Sequence, residues 1–213
     1  MTQGVNARRL TRREKAAATR ERMITAAIAV FTEQGYAGAR MADIAERAGV
    51  AVQTVYFTFH TKGELLQACF DHAVLGPEKL PPPQQLFWAE IQAARSGRAA
   101  LAAFVRGNAA ILARAAAIDE VAKAAPHEPD ASVVVAESDR LRREGYRDVA
   151  TMLADRFGLR AGLDVESATD LLLMFGSPST YLTLRRYGWS DKRYVAWLTA
   201  TLAQQLLARP PAR

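Results

Sequence analysis

The side chains best suited to chemistry lie together in the segment 43–59. Val52, Gln53, Thr54, Tyr56 and Thr58 combine small, amide, hydroxyl and aromatic groups, with no acid among them. Placed outward at the start of a short helix, such a surface suits an anionic partner, because the helix N-terminus directs unpaired N–H groups and partial positive charge at it. Catalytic chemistry is harder to assemble. A hydrolase needs a nucleophile, a base and an orienting acid, and a metal enzyme needs spaced ligands. The chain has one cysteine, Cys69, and three histidines, His60, His72 and His127, that stand apart in sequence. Neither a glycine-rich phosphate loop nor a His-Glu-x-x-His motif is found. No catalytic residue, metal ligand or cofactor is therefore expected. A helical enzyme stays open as an alternative, since distant residues can converge in a fold.

Positioning that surface requires two short helices joined at Gly49, the geometry of a helix-turn-helix. Ile44, Ala45 and Ala48 supply an inner face, Val50 fills the corner, and Val55 and Phe59, four apart, pack the second helix onto the first. A plain helical hairpin in a bundle core has the same spacing. Upstream, Ile24, Ala27, Ile28 and Phe31 share one face of a helix over 20–34 that Gly35 ends. Downstream, Thr61 with Glu64 three residues on predicts a capped helix over 61–74. Gly76-Pro77 and Pro81 to Pro83 mark a domain boundary. Beyond it, helices are predicted over 84–94, 98–117, 131–157, 165–185 and 191–208, with a turn of helix near 119–125 and a break near Gly176-Ser177 ahead of Pro178. Strand-like alternation is missing and alanine, the best helix former, is abundant. The expected fold is all-α: a basic arm over 1–17, a helix-turn-helix domain over 18–62, a connecting helix over 63–76 and a second helical domain over 77–213.

The 213 residues include 23% charged and 50% hydrophobic residues, the profile of a globular chain with a real core. No run approaches ~18 uninterrupted apolar residues, and no apolar stretch follows the basic start, so neither a membrane span nor a secretory signal is expected. A lone cysteine fits a reduced, cytoplasmic compartment. Cys69, beside Leu66 and Phe70, reads as a small buried hydrophobe rather than a redox sensor. The net charge of +6 is unevenly spread, with +5 of it on residues 1–62. Such asymmetry points to a polyanion, nucleic acid or an anionic surface, or to a solvated basic tail.

The words IAERAGV, QTVYFTF and HTKGELL (60–66), preceded by AVFTEQGY, resemble the tetracycline-repressor (TetR) family of transcriptional regulators. The resemblance is specific over residues 20–70 and looser over GWSDKRYVAWLTATLAQQLL (188–207). It implies that the second short helix enters the DNA major groove. Its first turn, Val52, Gln53 and Thr54, would meet base edges, Gln53 through its amide to adenine and Val52 or the Thr54 methyl to a thymine methyl. Tyr56 matches a phosphate-contacting position, Thr58 and His60 lie near the same backbone, and Lys62 matches a lysine that pairs with a phosphate. Two positions depart from the family pattern. Arg40 and Met41 stand where threonines often open the first short helix, so that Arg40 either contacts phosphate or is solvated. Ala51 stands where serine often caps the recognition helix. Arg8, Arg9, Arg12, Arg13, Lys15, Arg20 and Arg22 would extend the footprint along phosphates or into a narrow minor groove, or merely solubilise the chain.

In the family the second domain holds an effector and makes a dimer. Leu101, Phe104, Val105, Asn108, Ile111 and Leu112 share one helical face, and Phe87, Trp88, Met152, Met174, Phe175 and Tyr181 are the further candidates to close a cavity around it. Plain core is the alternative for each, and a satisfied core amide for Asn108. Both C-terminal helices carry apolar residues on more than one face, so the second stripe wants a partner. Leu172, Phe175, Leu184, Trp197, Leu198, Thr201 and Leu202 are the candidate dimer contacts; a helix pair buried within a monomer is the other reading. The resemblance thus implies a homodimeric, ligand-responsive regulator of a palindromic double-stranded DNA operator, most simply a repressor. The competing expectation is an architectural DNA-binding protein without ligand control.

Overall fold

The computed structural model describes residues 11–208. Helix α1 (Arg12–Gly38) begins earlier than its apolar period suggests, because Thr11 and Glu14 form a capping box: the Thr11 side chain accepts from the Glu14 N–H at 3.2 Å, and the Glu14 carboxylate accepts from the Thr11 N–H at 2.7 Å. The expected arm over 1–17 is thus helical from Arg12 onward, and residues 1–10, with Arg8 and Arg9, lie outside the described residues. Regular helix stops where glycine was expected to end it, at Gly35 with φ 72° and ψ 168°.

Helices α2 (Met41–Ala48) and α3 (Val52–Phe59) meet at Gly49, whose φ of 66° and ψ of 42° turn the chain sharply enough to stack them. Ile44, Ala45, Ala48, Val55 and Phe59 are buried between them as the spacing requires, joined by Met23, Ile24, Ala27, Val30 and Phe31 of α1. Helix α4 (Lys62–Leu75) is capped by the Thr61 hydroxyl, which accepts from the Glu64 N–H at 3.0 Å. Cys69 is fully buried there; burial pushes its thiol far above the ordinary range, which suits a packing role and not a reactive one.

A 3-10 turn over 82–84 leads into α5 (Leu86–Ala93), α6 (Gly97–Lys123), α7 (Pro129–Phe157), α8 (Val165–Phe175), α9 (Pro178–Arg186) and α10 (Asp191–Leu206). The segment 117–125 carries no breaker, so the separate turn expected there is the last part of α6. The single helix expected over 165–185 divides at the predicted break: Ser177 caps α9 through the Thr180 N–H, and Pro178 takes the first helical position, where a missing N–H costs nothing. Among the described residues the only β pairing is one isolated bridge, Leu159 with Leu207.

Helix α6 is the pillar, touching α1, α4, α5, α7, α9 and α10. By length and average composition it would cross a bilayer, yet most of its apolar stretch is buried within the protein, as expected of a central helix. Two apolar cores sit along it. The first, beneath α1–α4, takes in Ile118 and Ala122 from α6 and Ala131 and Val134 from α7. The second surrounds Leu101, Phe104, Val105 and Leu112 with α5 and α7–α10. Between α6 and α7, Asp119 is held by Arg142 at 2.8 Å and Lys123 at 3.1 Å, which satisfies a nearly buried carboxylate. The boundary at 76–77 therefore divides the chain but not the first core.

Candidate nucleic-acid interface

Two helical residues apart means a rotation of about 200°, so Phe57 must face away from both Val55 and Phe59. It does: Phe57 is 86% exposed and Tyr56 51% exposed, beside exposed Gln53 and half-buried Val52, Thr54 and Thr58. Phe57 was missing from the expected outward set, although the helical period already excluded it from the core. No side chain caps α3, because Ala51 offers no side-chain acceptor; the Thr54 N–H donates to Ala51 O at 2.9 Å, and the N–H groups of Val52 and Gln53 are left to solvent or an anion. No acidic residue lies within α3. A short, stiffly mounted helix thus presents an amide, hydroxyls and two large aromatic rings, with donors at its leading end.

The surrounding charged residues are more committed than their types suggest. Arg40 is exposed, but its guanidinium grips Asp43 through Nε at 3.0 Å and Nη2 at 2.8 Å. That contact holds the Asp43 carboxyl below the usual range. Arg20 lies 5.1 Å from the centre of the Phe59 ring, and Arg22 Nε donates to Ala48 O at 3.4 Å. Both tie α1 to the two short helices while staying exposed. Arg12, Arg13 and Lys15 stay exposed. Thr58 spends its hydroxyl on Thr54 O at 2.8 Å.

Lys62 departs most from expectation. Its Nζ donates to Tyr36 O at 2.9 Å and Ala39 O at 3.3 Å and sits 4.4 Å from the Tyr36 ring centre. The break at Gly35 leaves carbonyls at the end of α1 without helical partners, and the ammonium supplies them. His60 ends α3 at φ 53° and ψ −53°, a positive φ uncommon for a residue with a Cβ, and its Nδ1 is 3.5 Å from Glu64 Oε2.

Most of the residues expected to enclose an effector lie in or against the second core. Phe104 is buried edge-on to Tyr146 with centroids 5.1 Å apart. Asn108 is a satisfied core amide: Nδ2 donates to Gly176 O at 3.1 Å, and Oδ1 accepts from Tyr146 Oη at 2.7 Å. Tyr181 is buried and donates to Asp191 Oδ1 at 2.8 Å, its phenol pushed up to about 12 by burial. Met174 is 57% exposed, and Trp88, Ile111, Met152 and Phe175 are half-buried. A cleft of about 320 Å³ does exist between the end of α4, α5 and α6, and of the expected set only Phe87 lines it. The dimer candidates divide as well. Leu172, Leu198 and Leu202 are fully buried in the chain's own core and are unavailable to a partner, since each falls on the inner stripe of its helix. Phe175, Leu184, Trp197 and Thr201 are partly exposed.

Residues 23–69, which contain this surface, match the family model described as bacterial regulatory proteins, tetR family. Over these residues the chain is similar to the tetR family. The chain is 44% identical over 64 residues to the HTH-type transcriptional regulator CymR of Pseudomonas putida, covering 30% of this chain and 32% of that protein. It is also 44% identical over 59 residues to the HTH-type transcriptional regulator TtgR of the same species, covering 28% of each. The likeness thus spans about a third of the length of these curated relatives. Solved structures extend the fold over nearly the whole chain. The regulator FadR from Bacillus subtilis, in complex with stearoyl-CoA, aligns with TM-score 0.65 at 21% identity over 85% of this chain and 95% of that one. NalD from Pseudomonas aeruginosa, secondary repressor of the MexAB-OprM multidrug efflux pump, aligns with TM-score 0.68 at 17% identity over 90% and 98%. The tetR-family fold, a helix-turn-helix domain joined to a helical body, accounts for α1 through α10.

Proposed function

We propose that this protein is a sequence-specific DNA-binding transcriptional regulator, a repressor that a small molecule releases from a palindromic operator. The observation that carries this reading is α3: an exposed, acid-free helix with an uncapped N-terminus, held by a tetR-family domain. Gln53 meets bases, Tyr56 and the first-turn N–H groups meet phosphates, and Phe57 adds apolar contact on the same face. Lys62 keeps the ends of α1 and α4 together and has one N–H left for a phosphate.

A homodimer doubles the recognition helix. The half-exposed residues Leu171, Phe175, Leu184, Trp197 and Thr201 on α8–α10 support such pairing, because an apolar stripe beyond the one facing the chain's own core otherwise lies open to water. Half-site centres then fall about one helical turn apart or a multiple of it, ~34–36 Å for one turn. FadR was solved with a bound acyl-CoA and NalD is a repressor, and both support a ligand-responsive repressor here. Release requires the ligand to favour a state whose recognition helices no longer match the operator.

The test is selection of duplexes from a random pool at near-physiological salt, followed by footprinting. A palindromic consensus with a dimer-sized footprint is expected. Enrichment without any consensus, from protein stripped of ligand by refolding, would refute sequence-specific regulation.

A further inference from the structure

Arg114 is the one half-buried cation of α6 that no carboxylate answers among the described residues. Its Nε donates to Ala73 O at 2.8 Å, in the last turn of α4. No other hydrogen bond or ion pair is found for the guanidinium among the described residues, and burial lowers its pKa. The neighbouring Arg106, by contrast, is neutralised by Glu90 at 2.7 Å. Five N–H donors in a planar fork, only one of them used, form a ready seat for a carboxylate.

The space beside it is the cleft of about 320 Å³. Leu75, Leu86, Phe87 and Gly107 give it apolar walls, and Gly107 is bare because a Cβ there would lie 2.1 Å from the Phe87 ring. The guanidinium lies against Gly76, where a Cβ would come within 2.9 Å of Nη2. At roughly 30 Å³ per water the cleft holds about ten waters' worth of volume, small for a ligand pocket but enough for roughly ten heavy atoms.

We infer that this cleft binds a small organic carboxylate with an apolar body, its carboxylate paired with Arg114 and its body against Phe87 and Leu86. The inference rests on the ligand-responsive reading above and gives that ligand a chemical class. Glu78 and Glu90 also line the cleft, but both are exposed and Glu90 is already paired with Arg106, whereas the half-buried Arg114 gains more from an opposite charge. Coupling follows from the Arg114–Ala73 contact. A carboxylate that draws the guanidinium into the cleft pulls on the last turn of α4, whose other end carries Lys62 and the close of α1.

The test uses the full chain and two matched sets of probes: octanoate, octanamide and octylammonium, and 3-phenylpropionate, 3-phenylpropanamide and 3-phenylpropylammonium. Titration calorimetry should find at least one acid about tenfold or more tighter than its amide, in keeping with a charge-assisted pair. Arg114→Gln should erase that preference, and Arg114→Lys should keep part of it. Glu78→Gln should strengthen acid binding. An amide or ammonium that binds as tightly as its acid, or no binding of either acid at millimolar concentration, would overturn the assignment without any variant having to fold. The selected duplex separates this failure from failure of the regulator reading. Duplex bound with no acid bound sinks only the cleft; acid bound with no duplex selected sinks only the regulator. Where both bind, duplex must weaken acid binding by the same factor that acid weakens duplex binding.

Discussion

The two cores of this molecule use the same materials to opposite ends. Around α2–α4 a small core of Ile44, Val55, Phe59 and Leu65 holds one short helix so that its reactive face stays outside. Around α6 the second core draws its polar groups inside, where Asn108, Tyr146 and the Gly176 carbonyl satisfy one another. In the first region spacing alone tells an exposed residue from a buried one. In the second, packing among six helices decides, and helical period leaves several residues undecided.

Substitutions that test stability against binding bear on that contrast. The largest loss is expected for Phe31→Ala, fully buried beneath the short helices: about 3–5 kcal/mol by denaturant unfolding. A fall below about 1 kcal/mol would mean that the first core is not what mounts α3. Next comes a matched pair in the second core. Tyr146→Phe removes the donor to Asn108 and should cost about 1–3 kcal/mol. Tyr194→Phe removes a buried hydroxyl that has no hydrogen-bond partner, and should leave stability unchanged or slightly higher. Equal losses in the two would show that the second core does not depend on its polar network.

Lys62→Met separates two roles of one ammonium. If it mainly closes the end of α1, stability falls by about 1–2 kcal/mol and the salt dependence of DNA binding keeps its slope. A slope flattened by about one unit with unchanged stability would make it a phosphate contact instead. The smallest effect on stability, within about 0.5 kcal/mol, is expected for the double change Tyr56→Ala and Phe57→Ala. Affinity for every duplex should nevertheless drop in a gel-shift titration. Unchanged affinity would remove α3 from the interface.

Much of the first region was legible in advance. The burial of Ile44, Ala48, Val55 and Phe59, the turn at Gly49 and the cap at Thr61 follow from spacing and local chemistry. Phe57 was equally legible from helical rotation, although an exposed phenylalanine runs against the usual burial of that residue. Lys62 and Arg22 were not legible, since their carbonyl partners lie 26 residues away in sequence. In the second region the break before Pro178 was readable, because a proline acts on its own backbone. The cleft was not, for its walls come from three separate elements, and Arg114, unlike the Arg106 that also lines it, is set apart only by the carboxylate that fails to approach it. Leu198 and Leu202 were offered to a partner because sequence shows two apolar stripes without showing which one faces home.

Helix α6 spans about 40 Å at ~1.5 Å per residue, with one end embedded in each core. The helix-turn-helix unit is therefore not a detachable part. A fragment ending at residue 76 would lack Ile118, Ala122, Ala131 and Val134, leaving the first core short of cover. Such a fragment should be poorly folded, and a chimera that grafts this unit onto another body would have to carry the far end of α6 and the start of α7 with it. Under the proposed function, a change of operator specificity is accordingly easier through a few residues on α3 than through exchange of whole domains.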